Sequence, residues 1–340
     1  APPGVAREGR GLGSLGVWLG RGVMAIAFAA AAGVGGWFVG QIWLDYQVRT
    51  ASPRVVEPEL DLSPEVAPLP MESPSLNFPP TDDGEPEPSA DLPAAERDRK
   101  LELRRQRREL AIDYDFFEAL VEDRYGRAHP DRRGMRLTSE PADQLWRDRR
   151  DVVAQQILDQ LQELSGEARR RLGAYSRDDR RQWAQRLERR NVTLAPVELF
   201  TNTVFSLYFP QDEPDQQPLD QVWSAIAFDY IRALEVGENL IPLTPIIGTE
   251  LRHAGSLDPW QGKVFTVALE AGQSLTANGV SDYPTLVGIY DPNGRSLLAN
   301  GNERSWSGQV SRTGYYTIAI VSNAPQTVNY NLYLTVKNAP

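Results

Sequence analysis

The sequence predicts a multidomain chain: a single transmembrane helix, a disordered proline-rich linker, an all-α helical domain and an all-β sandwich of jelly-roll-like form. Three observations predict it. Residues 22–44 carry no charge. Prolines then recur every few residues from 52 to 93, among scattered acids. Apolar residues next repeat at helical spacing as far as about residue 237, and at alternate positions after residue 251. The expected boundaries are 1–21 for a cytoplasmic juxtamembrane segment, 22–44 for the span, 45–95 for the linker, 96–240 for the helical domain and 250–338 for the sandwich.

The uncharged run is rich in Ala and Gly, as membrane helices are. At about 1.5 Å per residue it reaches about 35 Å, enough for a hydrocarbon core of roughly 30 Å. Trp37 and Trp43 fall near its end, where an aromatic belt is expected. Arg7, Arg10 and Arg21 precede it and Arg49 and Arg54 follow, a bias toward a cytoplasmic N-terminus. The reading is a single-pass membrane protein, with the bilayer as partner of residues 22–44 and the C-terminal domains on the periplasmic or lumenal side. The rival is a cleaved signal peptide, but the run exceeds a normal signal core. Gly11-Leu-Gly13-Ser-Leu-Gly16 fits G-x-G-x-x-G. It leads into the apolar run instead of following a strand, so it reads as flexible or close-packing glycine and not as a nucleotide loop.

Proline forbids helix interiors and central strands, and like charges repel, so the linker reads as an extended tether. A docking segment for a proline-binding partner is the alternative. The basic run at 97–110, RDRKLELRRQRREL, follows at once. It reads as a solvated helix with local pairs such as Glu102–Gln106 and Arg105–Glu109; its block of charge could instead meet anionic lipid or the acidic linker.

In the helical domain Phe116, Phe117, Leu120 and Val121 form one patch. Leu145, Trp146, Val153, Ile157, Leu161 and Leu164 trace one face of a longer helix. Ser165 opens a short helix that Gly173 stops. Ser176-Arg-Asp-Asp179 is a capping-box pattern ahead of Trp183 and Leu187. Pro196 suits a first helical turn. Leu219-Asp220 begins the last helix, with Val222, Trp223, Ile226, Tyr230 and Leu234 inside and Gly237 at its end. Arg169, Arg170, Arg171, Arg180 and Arg181 read as solvated helix faces, and His129 as a surface loop residue.

After residue 251 the alternating runs at 263–269, 274–277, 285–290, 296–299, 315–321 and 330–336 read as strands. Asp291-Pro-Asn-Gly294 is a type I turn signal. The set Gly255-Ser-Leu-Asp258, Ala271-Gly-Gln-Ser-Leu275, Asp291-Pro-Asn-Gly294, Thr313-Gly-Tyr-Tyr316 and Tyr330-Asn-Leu-Tyr-Leu334 resembles a bacterial pre-peptidase C-terminal domain. That resemblance implies a non-catalytic β-sandwich appended to secreted or surface proteins. The whole layout, with Tyr114-Asp-Phe-Phe117, Gln221-Val-Trp-Ser-Ala-Ile-Ala-Phe228 and Glu303-Arg-Ser-Trp-Ser-Gly308, resembles the extracytoplasmic part of cyanobacterial serine/threonine protein kinases. Such kinases carry the catalytic domain before the membrane helix. This chain has no H-R-D, no D-F-G and only three lysines, none after a glycine loop.

Composition narrows the function further. Lys+Arg 36 against Asp+Glu 46 gives a net charge of −10, which argues against nucleic acid as a partner. With no Cys and only His129 and His253, the chain has little material for metal, cofactor or nucleophilic chemistry. Asp113 with Asp115, and Asp178 with Asp179, suit helix starts better than a glycosidase pair. No catalytic, cofactor or metal residue is therefore expected. The function predicted is a non-catalytic, membrane-anchored extracytoplasmic binding or sensor module; the kinase resemblance makes it the C-terminal receptor part of a serine/threonine protein kinase. A membrane-tethered scaffold for a protein partner is the alternative. The candidate ligand-binding residues are Trp260, Tyr283 and Trp306, large aromatics placed in sandwich loops.

Overall fold

The computed structural model describes residues 84–210, 212–298 and 303–338. Seven helices come first: α1 (Ala94–Glu109), α2 (Tyr114–Ala128), α3 (Gln144–Leu161), α4 (Gly166–Arg170), α5 (Arg177–Glu188), α6 (Ala195–Tyr208) and α7 (Leu219–Val236). Their ends follow from local chemistry. The Asp113 carboxylate accepts from the Phe116 amide at 2.9 Å and opens α2. Ser165 does the same for α4, and Ser176 with Asp179 closes a reciprocal capping box on α5. Gly237, at φ 84°, ends α7 in a left-handed turn that a side chain would strain.

Nine strands follow: β1 (Leu240–Leu243), β2 (Glu250–Leu257), β3 (Gly262–Leu269), β4 (Ser274–Ser281), β5 (Thr285–Tyr290), β6 (Ser296–Leu298), β7 (Ser305–Gln309), β8 (Gly314–Ser322) and β9 (Val328–Lys337). They form a five-stranded sheet in the order β1-β3-β8-β5-β6 and a four-stranded sheet in the order β2-β9-β4-β7. All pairs are antiparallel except β1 with β3.

Period-2 alternation sends the two faces of the five-stranded sheet into different cores. Phe265 and Val267 of β3 and Ile318 and Ile320 of β8 point to the second sheet, where Leu332, Leu334 and Val336 of β9 meet them. Their neighbours Val264, Ala319 and Val321 join Phe200, Phe205, Trp223, Phe228 and Tyr230 in a core made mostly by the helices. Helix α6 lies against β8 and β5. The result is three layers: helices, five strands, four strands.

Several expectations change. The fold class with a single transmembrane helix is corrected: among the described residues no helix is long and apolar enough to cross a membrane. The longest, α3 and α7, have 18 residues, about 27 Å, and both carry several charges, among them Arg147, Asp148 and Asp151 in α3 and Asp220, Asp229 and Arg232 in α7. Residues 22–44, where the span was expected, lie outside the described residues, as do 1–21, the glycine motif at 11–16 and most of the linker. The membrane and single-pass attributions have no support among the described residues. The described end of the linker is fastened to the chain: Glu85 accepts from Arg107 at 2.8 Å and pairs with Arg104 at 3.0 Å, so the basic helix meets acidic linker.

Helix α3 is phased differently from its apolar pattern. Leu145 is 55% exposed, while Arg147 and Asp151 are buried toward α1. The arginine clusters are not simply solvated. Arg169 donates to the carbonyls of Leu110 at 3.1 Å and Gln162 at 2.8 Å. Arg171 pairs with Asp179 and lies over the Tyr175 ring, and Arg180 lies 4.6 Å from the Trp223 ring. In each case a neighbouring carbonyl, carboxylate or ring captures the guanidinium.

Candidate functional site

Strands β1 and β2 are edge strands, one in each sheet, and Ile241, Leu243 and Leu251 from them pack on the inter-sheet core. Polar side chains gather on this side. His253 sits at an inward position of β2, its ring 5.1 Å from Phe265 and nearly parallel to Tyr330 at 6.1 Å. Tyr330 stands opposite Gly255 in the ladder, and its hydroxyl lies where a side chain at that glycine would be: a Cβ there would come within 2.7 Å of it. The Lys263 ammonium lies 5.9 Å from the Tyr330 ring. The Tyr330 hydroxyl and His253 Nδ1 are shielded from solvent and have no hydrogen-bond partner among the described residues. Burial pushes the Tyr330 pKa up to about 12. Burial, and then the Lys263 charge, hold His253 below its ordinary value, so the imidazole stays neutral.

Beside this group opens a pocket of about 370 Å³ lined by Asn239, Ser256, Leu257, Asp258, Pro259, Gln261, Gly262 and Lys263. It lies where the connection after α7 meets the β2–β3 turn. Backbone bonds fix that turn: Gln261 N donates to Asp258 O at 3.0 Å, Ser322 N to Gln261 O at 2.9 Å and Val264 N to Asn239 O at 2.8 Å. Trp260, at its tip, holds φ 61°, a left-handed conformation costly for a bulky residue. Its carbonyl accepts the Tyr230 hydroxyl of α7 at 2.8 Å, so the helical layer holds the strained residue in place. The lining offers two amides, a carboxylate, an ammonium and a hydroxyl. Each of these groups can hydrogen-bond a polar ligand.

Of the aromatics singled out by sequence, only Trp260 adjoins this pocket. Tyr283 is exposed in the β4–β5 turn, its carbonyl accepting from Ser281 at 2.8 Å. Trp306 is corrected from loop to strand: it lies in β7 opposite Ala277, packs against the inter-sheet core and covers Gly308. That glycine is what gives the indole room, since a Cβ would come within 2.8 Å of it. Sequence reasoning passed over Asn239, His253, Lys263 and Tyr330. The one available signal was the frame Leu251-x-His253-x-Gly255-x-Leu257, which sets an imidazole and a glycine at inward positions. Among the described residues no group of three His, Asp or Glu could hold a metal ion.

No protein-family model matches the chain, so the pre-peptidase resemblance stays a reading of motifs. The chain is similar to the serine/threonine-protein kinase-like protein E of Synechocystis sp., 26% identical over 337 residues covering 93% of this chain. It spans about half of that relative, 48% of its length. Among solved structures, periplasmic inhibitors of g-type lysozyme show a partial likeness to this chain. That of Aeromonas hydrophila is 16% identical with a TM-score of 0.27, covering 29% of this chain and 96% of the inhibitor. That of Salmonella Typhimurium is 11% identical with a TM-score of 0.24, covering 29% and 98%.

Proposed function

We propose that this chain is a non-catalytic binding module of a kinase-like protein, and that the pocket beside Trp260 takes its ligand. The observation that carries the reading is the similarity to a kinase-like protein along 93% of a chain that itself contains no H-R-D and no D-F-G. The pocket lining supports a polar, hydroxyl-rich ligand, with Trp260 in sequence between the lining residues Pro259 and Gln261. Ligand at the turn would act on the residue that Tyr230 anchors, which gives a sensor its route to α7.

Calorimetric titration of the full chain with neutral oligosaccharides, cellobiose and chitotriose, tests the reading. Saturable binding that Gln261→Ala abolishes, with the circular dichroism and melting temperature unchanged, is the expected result. Binding by neither sugar, or transfer of phosphate from Mg-ATP to casein by the purified chain, counts against it.

A further inference from the structure

A second cleft lies in the helical layer, away from the sandwich. It measures about 340 Å³, and its lining includes Lys100 from α1, Glu122 and Tyr125 from α2, Arg136 from the α2–α3 connection, and Arg147 and Arg150 from α3. Four cations thus face one carboxylate, on a chain whose net charge is −10. Three of the four are held from behind. Lys100 pairs with Asp151 at 2.6 Å, Arg147 with Glu96 at 2.7 Å and Arg150 with Glu118 at 2.5 Å. These carboxylates offset much of the local charge, but they also fix where the cations stand. Arg150 spends a single N–H on Glu118 and keeps its other donors free of the described residues. Arg136 forms no ion pair with any described residue.

Tyr125 supplies the second, independent observation. The residue is 1% exposed, and its hydroxyl has no hydrogen-bond partner among the described residues. Burial raises its pKa, so it stays a protonated donor at neutral pH. A buried hydroxyl without a partner is costly, and a packed helical core has no structural need of one. His129, edge-on at 5.1 Å, and Trp146, edge-on to His129 at 5.5 Å, hold the ring.

We infer that this cleft is a binding site for a small oxyanion, a phosphate or a carboxylate, received by Arg136 and Arg150 with the Tyr125 hydroxyl donating from the floor. Guanidinium forks, that of Arg150 preplaced by Glu118, match the paired oxygens of either group. Glu122 sets the limit on affinity, because it shares the lining and repels the ligand.

The test titrates the full chain at low salt with inorganic phosphate and, separately, with citrate. At least one probe binds saturably, and which one identifies the oxyanion. Arg136→Gln weakens that binding about tenfold and Tyr125→Phe also weakens it, while Glu122→Gln tightens it. Arg136 is exposed, so Arg136→Gln keeps the wild-type melting temperature, and Tyr125→Phe, which removes a buried hydroxyl with no partner among the described residues, does not lower it. Absence of binding by both probes overturns the inference, as does binding that Arg136→Gln and Tyr125→Phe leave unchanged. The site shares no residue with the sandwich pocket, so either can fail without the other.

Discussion

Arg147 and Glu96 meet almost out of solvent, their side chains 7% and 3% exposed. The guanidinium donates to both carboxylate oxygens, at 2.7 and 3.1 Å, and also to the carbonyls of Thr138 and Glu140. A buried pair contributes little beyond what a well-packed apolar pair would, but removing one partner leaves the other as an uncompensated charge. Arg147→Met is therefore expected to cost about 3–5 kcal/mol in urea unfolding at pH 7. Adding Glu96→Met should recover much of that loss. The pair also fixes an acid limit. Hydrogen bonds from Arg147, its largest influence, hold the Glu96 pKa below the ordinary 4.5. That stability is present in full above about pH 4.5 and lost as pH falls through the folded value; Glu96→Gln should flatten this limb of the stability curve. The sequence pattern of α3 hid the pair. Period counting assigns the inside of a helix to its apolar residues, and so placed Leu145 within; here a cross-helix salt bridge occupies the inner position instead.

Elements meet where side chains leave room for them. Gly262 opens β3, and the Phe200 ring of α6 rests directly on it: a Cβ at that glycine would come within 2.5 Å of the ring. Both residues are buried, so the ring has little space to retreat. Gly262→Ala should lower stability by about 1–3 kcal/mol, as overpacking does, measured by chemical denaturation. Phe200→Leu in the same chain should return part of the loss; if Gly262→Ala is neutral, the helix does not press on the strand as described. Capped helices and strongly alternating strands were legible in the sequence because their signals are local. Ser176 with Asp179, Gly237 and the alternating strand β9 are of this kind, while β3 and β8 were legible as nearly continuous apolar runs. Strands β1, β2 and β7 were not read. β1 has four residues and contains Pro242, β2 spends inward positions on His253 and Gly255, and β7 has Trp306 as its single large apolar residue. Each is held by its ladder partner more than by its own pattern. The candidate site suffers most from this, because His253, Ser256 and Leu257 lie on β2 and Asp258, Pro259 and Gln261 on the turn that follows it.

At the scale of the molecule, the five-stranded sheet has no free face. Phe265, Ile318 and Ile320 close against the second sheet, while Val264, Ala319 and Val321, one step away in the same strands, close against the helices. β1 adds a covalent tie: it leaves α7 through Gly237 and pairs in parallel with β3, so a helix is continuous with the edge of the sheet. The described helices and strands accordingly fall in one compact unit. A sheet buried on both sides cannot lose one layer without exposing an apolar face, and exposed faces of that kind associate. Scanning calorimetry of the full chain should therefore show the helices and the sandwich melting in a single transition, with calorimetric and van't Hoff enthalpies in agreement. A fragment of residues 245–338, which keeps eight strands but loses β1 and every helix, should aggregate or bind a hydrophobic dye. A fragment of 84–338 should fold. A soluble, cooperatively melting 245–338 fragment would mean that the helical layer only rests on the sheet, and then the bond from Tyr230 to Trp260 would no longer join the pocket to a helix that folds with it.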